Sequence, residues 1–237
     1  MYCGKKILVI IPARGGSKGI HLKNLVKFKK KNLLENIKIC LDNLKIKIDR
    51  VIISSDHKKI IKQAKKLKID VPFIRPAKLS GDKVSIAKVL THALNYIEKK
   101  DRIIYDILVV LEPTCPSRKP KHIEKALKKL IEEKKDSVWS VSETDSKYHP
   151  FKQLYIKNNK LNFFSKKMGK RIIARQQLNK TFHRNGAVYA LSTKYFKKTE
   201  EMIGKNTGYI ICNKYLTSID SIFDLKYSEW IEKNVNK

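Results

Sequence analysis

Residues 11–25 read IPARGGSKGIHLKNL, and they set three glycines within five residues beside Arg14, Ser17 and Lys18. Gly15, Gly16 and Gly19 can reach left-handed backbone angles, which lets successive N–H groups converge on one anion. Arg14 and Lys18 add positive charge at the same place. The chemistry this implies is phosphate binding. The string is not a Walker loop, since Ser17 precedes Lys18 and the chain runs on through IHLKN instead of entering a helix. It is not G-x-G-x-x-G either.

The segment before this loop is a continuous apolar run, KKILVIIP at 5–12, and reads as a buried strand. Strand and helix signals then alternate. Further strands are expected at 50–56, 71–76, 105–114, 136–143, 184–191 and 208–213. Helices are expected at 32–44, 57–69, 85–100, 121–135 and 220–235. Strands alternating with helices of this length make βαβ units, and so an α/β fold with a mostly parallel twisted sheet flanked by helices. Ligands of such sheets sit beyond the carboxyl ends of the strands. The segments there are PARGGSKG, SSD, RPAKLSGD and LEPTCPSR. The rhythm breaks at 148–181, which reads as an excursion with a hairpin around Asn158 and Asn159. The α/β domain is therefore expected to comprise 1–147 and 182–237.

Composition narrows the class. The chain has 237 residues, 42% hydrophobic, with no apolar run long enough for a membrane span. No signal peptide is read at the N-terminus, and a cytoplasmic protein with no membrane partner is expected. The four cysteines form no C-x-x-C pair and the six histidines lack ligand spacing. The net charge of +31 rests mostly on Lys spread along helices, with only eight Arg, so no nucleic-acid partner is expected. The positive field would still attract anionic small substrates.

The whole string, followed in order by VIISSD, RPAKLSGDKVS, LEPTCPSR, HPFK, RQQ, RNGAVY and SIDSIFDL, resembles the acylneuraminate cytidylyltransferases, the CMP-nonulosonate synthetases. The resemblance spans nearly the whole chain. It implies a Rossmann-like nucleotidyltransferase fold and a cytidylyltransferase that joins CTP to a nine-carbon 2-keto sugar acid, with Mg²⁺ as cofactor. The 148–181 excursion would be a small dimerisation and sugar-site unit of a homodimer. A Kdo-type or other sugar nucleotidyltransferase is the alternative.

Residue by residue, the resemblance implies nucleotide contacts from Ala13, Arg14, Gly15, Gly16, Ser17 and Lys18, and from Asn24, Arg75 and Ser85. Arg14, Lys18 and Asp220 would be the catalytic set, with Asp220 on the metal. Glu112, Lys152, Arg175, Gln176 and Tyr189 would face the sugar acid. Two departures stand out. Glu112 replaces a common Gln, which points away from ordinary N-acetylneuraminate. Ser218 stands where the first Asp of the D-x-D metal pair is usual, so impaired metal binding is a further alternative. Asp224 is expected to cap the last helix, with Asp220 as its competitor.

Overall fold

The computed structural model describes residues 1–171, 174–212, 215–216 and 218–235. In chain order the elements are β1 (Ile7–Pro12), the β2 (Lys27–Phe28) and β3 (Lys31–Asn32) hairpin, α1 (Leu33–Asp42), β4 (Arg50–Ser54) and α2 (Lys58–Lys66). Next come α3 (Ile86–Asp101), β5 (Ile107–Val110), α4 (Pro120–Glu132), β6 (Ser137–Glu143), β7 (Leu154–Lys157), β8 (Lys160–Phe163) and α5 (Lys166–Gly169). The chain closes with β9 (Phe182–Ser192), α6 (Thr193–Thr199), β10 (Thr207–Ile211) and α7 (Ile222–Asn234).

Six strands form one sheet in the order β10-β6-β9-β5-β1-β4. β1 pairs parallel with both β4 and β5, and β10 pairs parallel with β6. β9 alone runs antiparallel, against β5 and β6. Five consecutive residues of β1, Ile7 to Ile11, have no exposed surface. Each such side chain contributes about 1.5–3 kcal/mol by leaving water. Alternate residues of β1 serve opposite cores: Ile7, Val9 and Ile11 pack with α1, α2 and α4 residues, while Leu8 and Ile10 pack with α3 and Phe196. This two-sided burial is why the strand shows no polar alternation.

The chain leaves β1 for β4 on one side and returns to β5 on the other, which opens a crevice at the carboxyl ends of β1 and β5. The antiparallel β9 brings its N-terminal half to the same edge. Across β9 the ladder with β6 shifts register between Trp139 and Val141. Asn185 fills the irregularity: its Oδ1 accepts from Ser140 Oγ at 2.7 Å and its Nδ2 donates to Ser142 Oγ at 3.0 Å.

Three local expectations are corrected. Residues 71–76 form no strand; Asp70 bridges β4 at Ile52, the chain bends at Phe73, and Arg75 N donates to Ser55 O at 2.8 Å. The last helix is capped by Ser221, whose side chain accepts from Asp224 N, while Asp224 completes a capping box at the third helical position. Asp220 is not the cap. The expected strand at 208–213 ends at Ile211, and Asn213 and Thr217 lie outside the described residues. Within 148–181, β7 and β8 form a separate two-stranded sheet joined by Asn158 and Asn159 at φ 51° and 55°, the pair of left-handed residues a type I′ hairpin requires.

Candidate active site

The loop after β1 is held from three directions. Ala13 N donates to Ser54 O at 2.9 Å, and Gly15 N donates to Asp56 Oδ1 at 2.9 Å. Asn24, buried in the short turn Lys23–Leu25, donates from Nδ2 to Arg14 O at 2.9 Å. None of the three loop glycines takes a left-handed angle, since the positive-φ glycines among the described residues are Gly4 and Gly186; Gly15 and Gly19 serve close approach, while Gly16 has open space beside it. A Cβ on Gly15 would lie 2.7 Å from the His57 side chain, and one on Gly19 would lie 2.1 Å from the Asp220 carbonyl. Gly19 thus lets the loop press against the segment ahead of α7. Lys23 Nζ reinforces that contact with an ion pair to Asp220 Oδ1 at 2.6 Å.

Beyond the loop lies a cavity of about 680 Å³. Arg14, Lys18, Lys23, Arg75 and Arg184 line it, against the carboxylates Asp82, Glu112 and Asp220. Cations are in excess. One wall is apolar and comes from Pro12, Leu79, Val84, Ile86 and Val89. A polyanion carrying a flat apolar ring matches that division.

Arg14 Nη1 and Lys18 Nζ both reach Asp82, at 2.8 and 2.9 Å. The Lys18 ammonium, together with Arg14, holds the Asp82 carboxyl below its usual range. Arg75 is 4% exposed and donates from Nε to Ser54 Oγ at 3.0 Å and from Nη2 to Ser54 O. Burial pulls its guanidinium down to about 10, which leaves it charged at neutral pH. On the other side of the cavity, Glu112 follows β5. Loss of water pushes its carboxyl up; Arg118, Arg184 and Lys23 oppose the rise and Asp220 adds to it. Tyr189 lies alongside, 3% exposed, with its ring edge-on to Trp139 at 4.8 Å. Burial and the neighbouring Glu112 raise its phenol.

Of the residues expected from sequence, Arg14, Ser17, Lys18, Asn24, Arg75, Glu112, Tyr189 and Asp220 line this one cavity. Ala13, Gly15 and Gly16 shape the loop behind it. Ser85 caps α3, accepting from Lys88 N at 3.4 Å, and its neighbours Val84 and Ile86 face the cavity in its place. Lys152, Arg175 and Gln176 are exposed in the excursion and do not line the cavity. Lys23, Asp82 and Arg184 went unread. All three lie within the motif segments, Arg184 in RNGAVY, but a lone Lys in so basic a chain carries no signal. Arg184 was hidden because nothing local reveals that β9 turns its first half to this edge.

Ser218 Oγ donates to Thr114 Oγ1 at 2.8 Å, tying the segment before α7 to the loop after β5. Among the described residues no three acidic, His or Cys side chains gather as a metal cage. Asp220 keeps Oδ2 free of the Lys23 contact and is 72% exposed. That donor set suits a cation that takes one or two carboxylates and completes its shell with phosphate oxygens and water.

Comparisons with known proteins bear on the family and the fold. A family model described as Cytidylyltransferase matches residues 8–235. Pseudaminic acid cytidylyltransferase of Campylobacter jejuni is 30% identical over 232 residues, covering 96% of this chain and 97% of that protein. CMP-N,N'-diacetyllegionaminic acid synthase of the same species is 28% identical, covering 95% and 94%. Among solved structures, a CMP:2-keto-3-deoxy-manno-octonic acid synthetase complexed with CTP superposes with a TM-score of 0.70 at 12% identity, covering 96% of this chain and 98% of the other. The chain belongs to the cytidylyltransferase family and is a nucleotidyltransferase enzyme.

Proposed function

We propose that this enzyme transfers the CMP unit of CTP to the anomeric hydroxyl of a nonulosonate, a nine-carbon 2-keto-3-deoxy sugar acid, releasing pyrophosphate. The observation that carries the reading is the cavity itself, lined by five cations and by the apolar wall. Arg14 and Lys18 would exchange Asp82 for triphosphate oxygens. The neutralised α-phosphorus then accepts attack, a reaction in which positioning and charge stabilisation do most of the work. The apolar wall and Asn24 would hold the cytidine, and Arg75 would support the nucleotide from beneath.

Glu112, Tyr189 and Arg184 would receive the sugar acid. A carboxylate at 112 accepts hydrogen bonds and offers none, so it favours a sugar with an added N–H or O–H there. The similarity to pseudaminate and legionaminate enzymes supports that class. Asp220 would hold Mg²⁺, which when bound would supply charge neutralisation for the triphosphate. Lys152, Arg175 and Gln176 lie on an excursion with exposed Leu154, Ile156, Leu161 and Phe164. A homodimer that covers this apolar surface would bring those residues to a partner's cavity. The enzyme would act in the cytoplasm.

The test is a pyrophosphate-release screen with CTP, UTP and ATP against pseudaminate, N,N'-diacetyllegionaminate, N-acetylneuraminate and Kdo. CTP with one of the first three should turn over fastest. Exclusive turnover of Kdo overturns the substrate class. Asp220→Ala should abolish the Mg²⁺ dependence and most of the rate; undiminished activity removes the metal assignment.

A further inference from the structure

Arg118 was not singled out by sequence and does not line the cavity, yet it is 6% exposed and carries a permanent charge. It forms no ion pair among the described residues. Its fork is spent on backbone: Nε donates to Ala187 O, and Nη2 donates to Glu112 O and, at 3.0 Å, to Gly186 O. A buried guanidinium costs several kcal/mol unless such charge-assisted bonds offset it. A side chain held merely for stability would be cheaper as an apolar residue, so its location needs a reason.

The β5–β9 ladder stops at Val110 opposite Tyr189. β5 ends there, and beyond it Arg118 ties the following Glu112 carbonyl to the Gly186 and Ala187 carbonyls of β9. The carbonyls it gathers belong to the residues that shape the far side of the cavity. Gly186 sits at φ +71°, and a Cβ there would lie 2.7 Å from Glu112 Oε2. The Glu112 carboxylate therefore rests against a bare backbone whose position Arg118 sets. Arg118 is also the foremost positive charge acting on that carboxylate.

We propose that Arg118 is a positioning residue for the sugar-acid side of the site, clamping the Glu112 and Gly186 backbones so that the Glu112 carboxylate meets the acceptor sugar. This rests on the functional reading above. The nucleotide side, built on β1 and the 75–86 segment, is outside its reach.

The experiment compares wild type, Arg118→Lys, Glu112→Gln and the double variant with CTP and the sugar acid that wild type uses best. Lys keeps the charge and loses the fork. Arg118→Lys should raise the KM for sugar acid by about tenfold while the CTP dissociation constant moves by less than about twofold. In the Glu112→Gln background the same change should cost less than about threefold, because the two act through one contact. Gly186→Ala, which sets a Cβ against the Glu112 carboxylate while leaving the Arg118 side chain in place, should reproduce the selective rise in sugar-acid KM and serves if Arg118→Lys folds poorly. Equal weakening of both substrates, or full additivity with Glu112→Gln, overturns the proposal alone. A wild type that binds no CTP and turns over no acid of the panel overturns the functional reading and this proposal with it.

Discussion

Asp82 bridges Arg14 and Lys18, the place a triphosphate oxygen would take. On the proposed reading the nucleotide would displace it, so the carboxylate would compete with substrate for its own binding cations. Asp82→Asn should lower the KM for CTP several-fold, read from initial rates; a raised KM would mean that Asp82 orients the cations instead. Glu112 makes a second argument at this scale. Its carboxyl is pushed above the ordinary glutamate range because burial disfavours the charge. A raised carboxyl pKa leaves stability intact below the unfolded value and removes it as pH rises through the folded value. Glu112→Gln, which cannot ionise, should melt like wild type near about pH 4 and higher than wild type near about pH 8. Melting curves across that range check the sign, and a constant difference would refute it.

At the scale of elements, the site is a junction of one loop with three strand ends. The loop after β1 docks on the segment before α7 through Gly19 and Lys23, and Ile20, Phe28, Leu33 and Ile219 form a small core beneath that contact. A methyl at position 19 would meet backbone at 2.1 Å, which cannot swing aside. Gly19→Ala should therefore cut kcat/KM for CTP by about a hundredfold, the cost of misplacing reacting groups by an ångström. Gly16→Ala is the control: nothing lies within 4 Å of its added Cβ, and its melting temperature should stay near wild type. Equal losses in both would separate the glycine pattern from this contact.

For the whole molecule, the apolar surface of the excursion calls for a partner. Ile156 is 75% exposed, Phe164 71% and Leu161 67%, and a hairpin so exposed buries too little to be stable unaided. Light scattering should give twice the chain mass, and Ile156→Lys should shift it toward monomer with loss of turnover at dilute enzyme. A wild-type monomer that remains active would end the dimer reading. The +31 charge belongs to the same scale and should draw anionic substrates to the crevice more strongly at low ionic strength than at high.

What the sequence determined by itself was local. The apolar β1, the helical spacings, the Asn158–Asn159 turn and the Arg14–Lys18 loop each rest on neighbours in the chain, so periodicity and turn chemistry expose them. Tertiary structure alone decided that β9 is antiparallel and that 71–76 leaves the sheet. It also decided that Lys23 meets Asp220 across 197 residues and that Arg118 clamps Ala187 across 69. The physical reason is the same in each case: those contacts are selected by how far-apart strands pack at one sheet edge, and no local pattern records which partner that packing supplies.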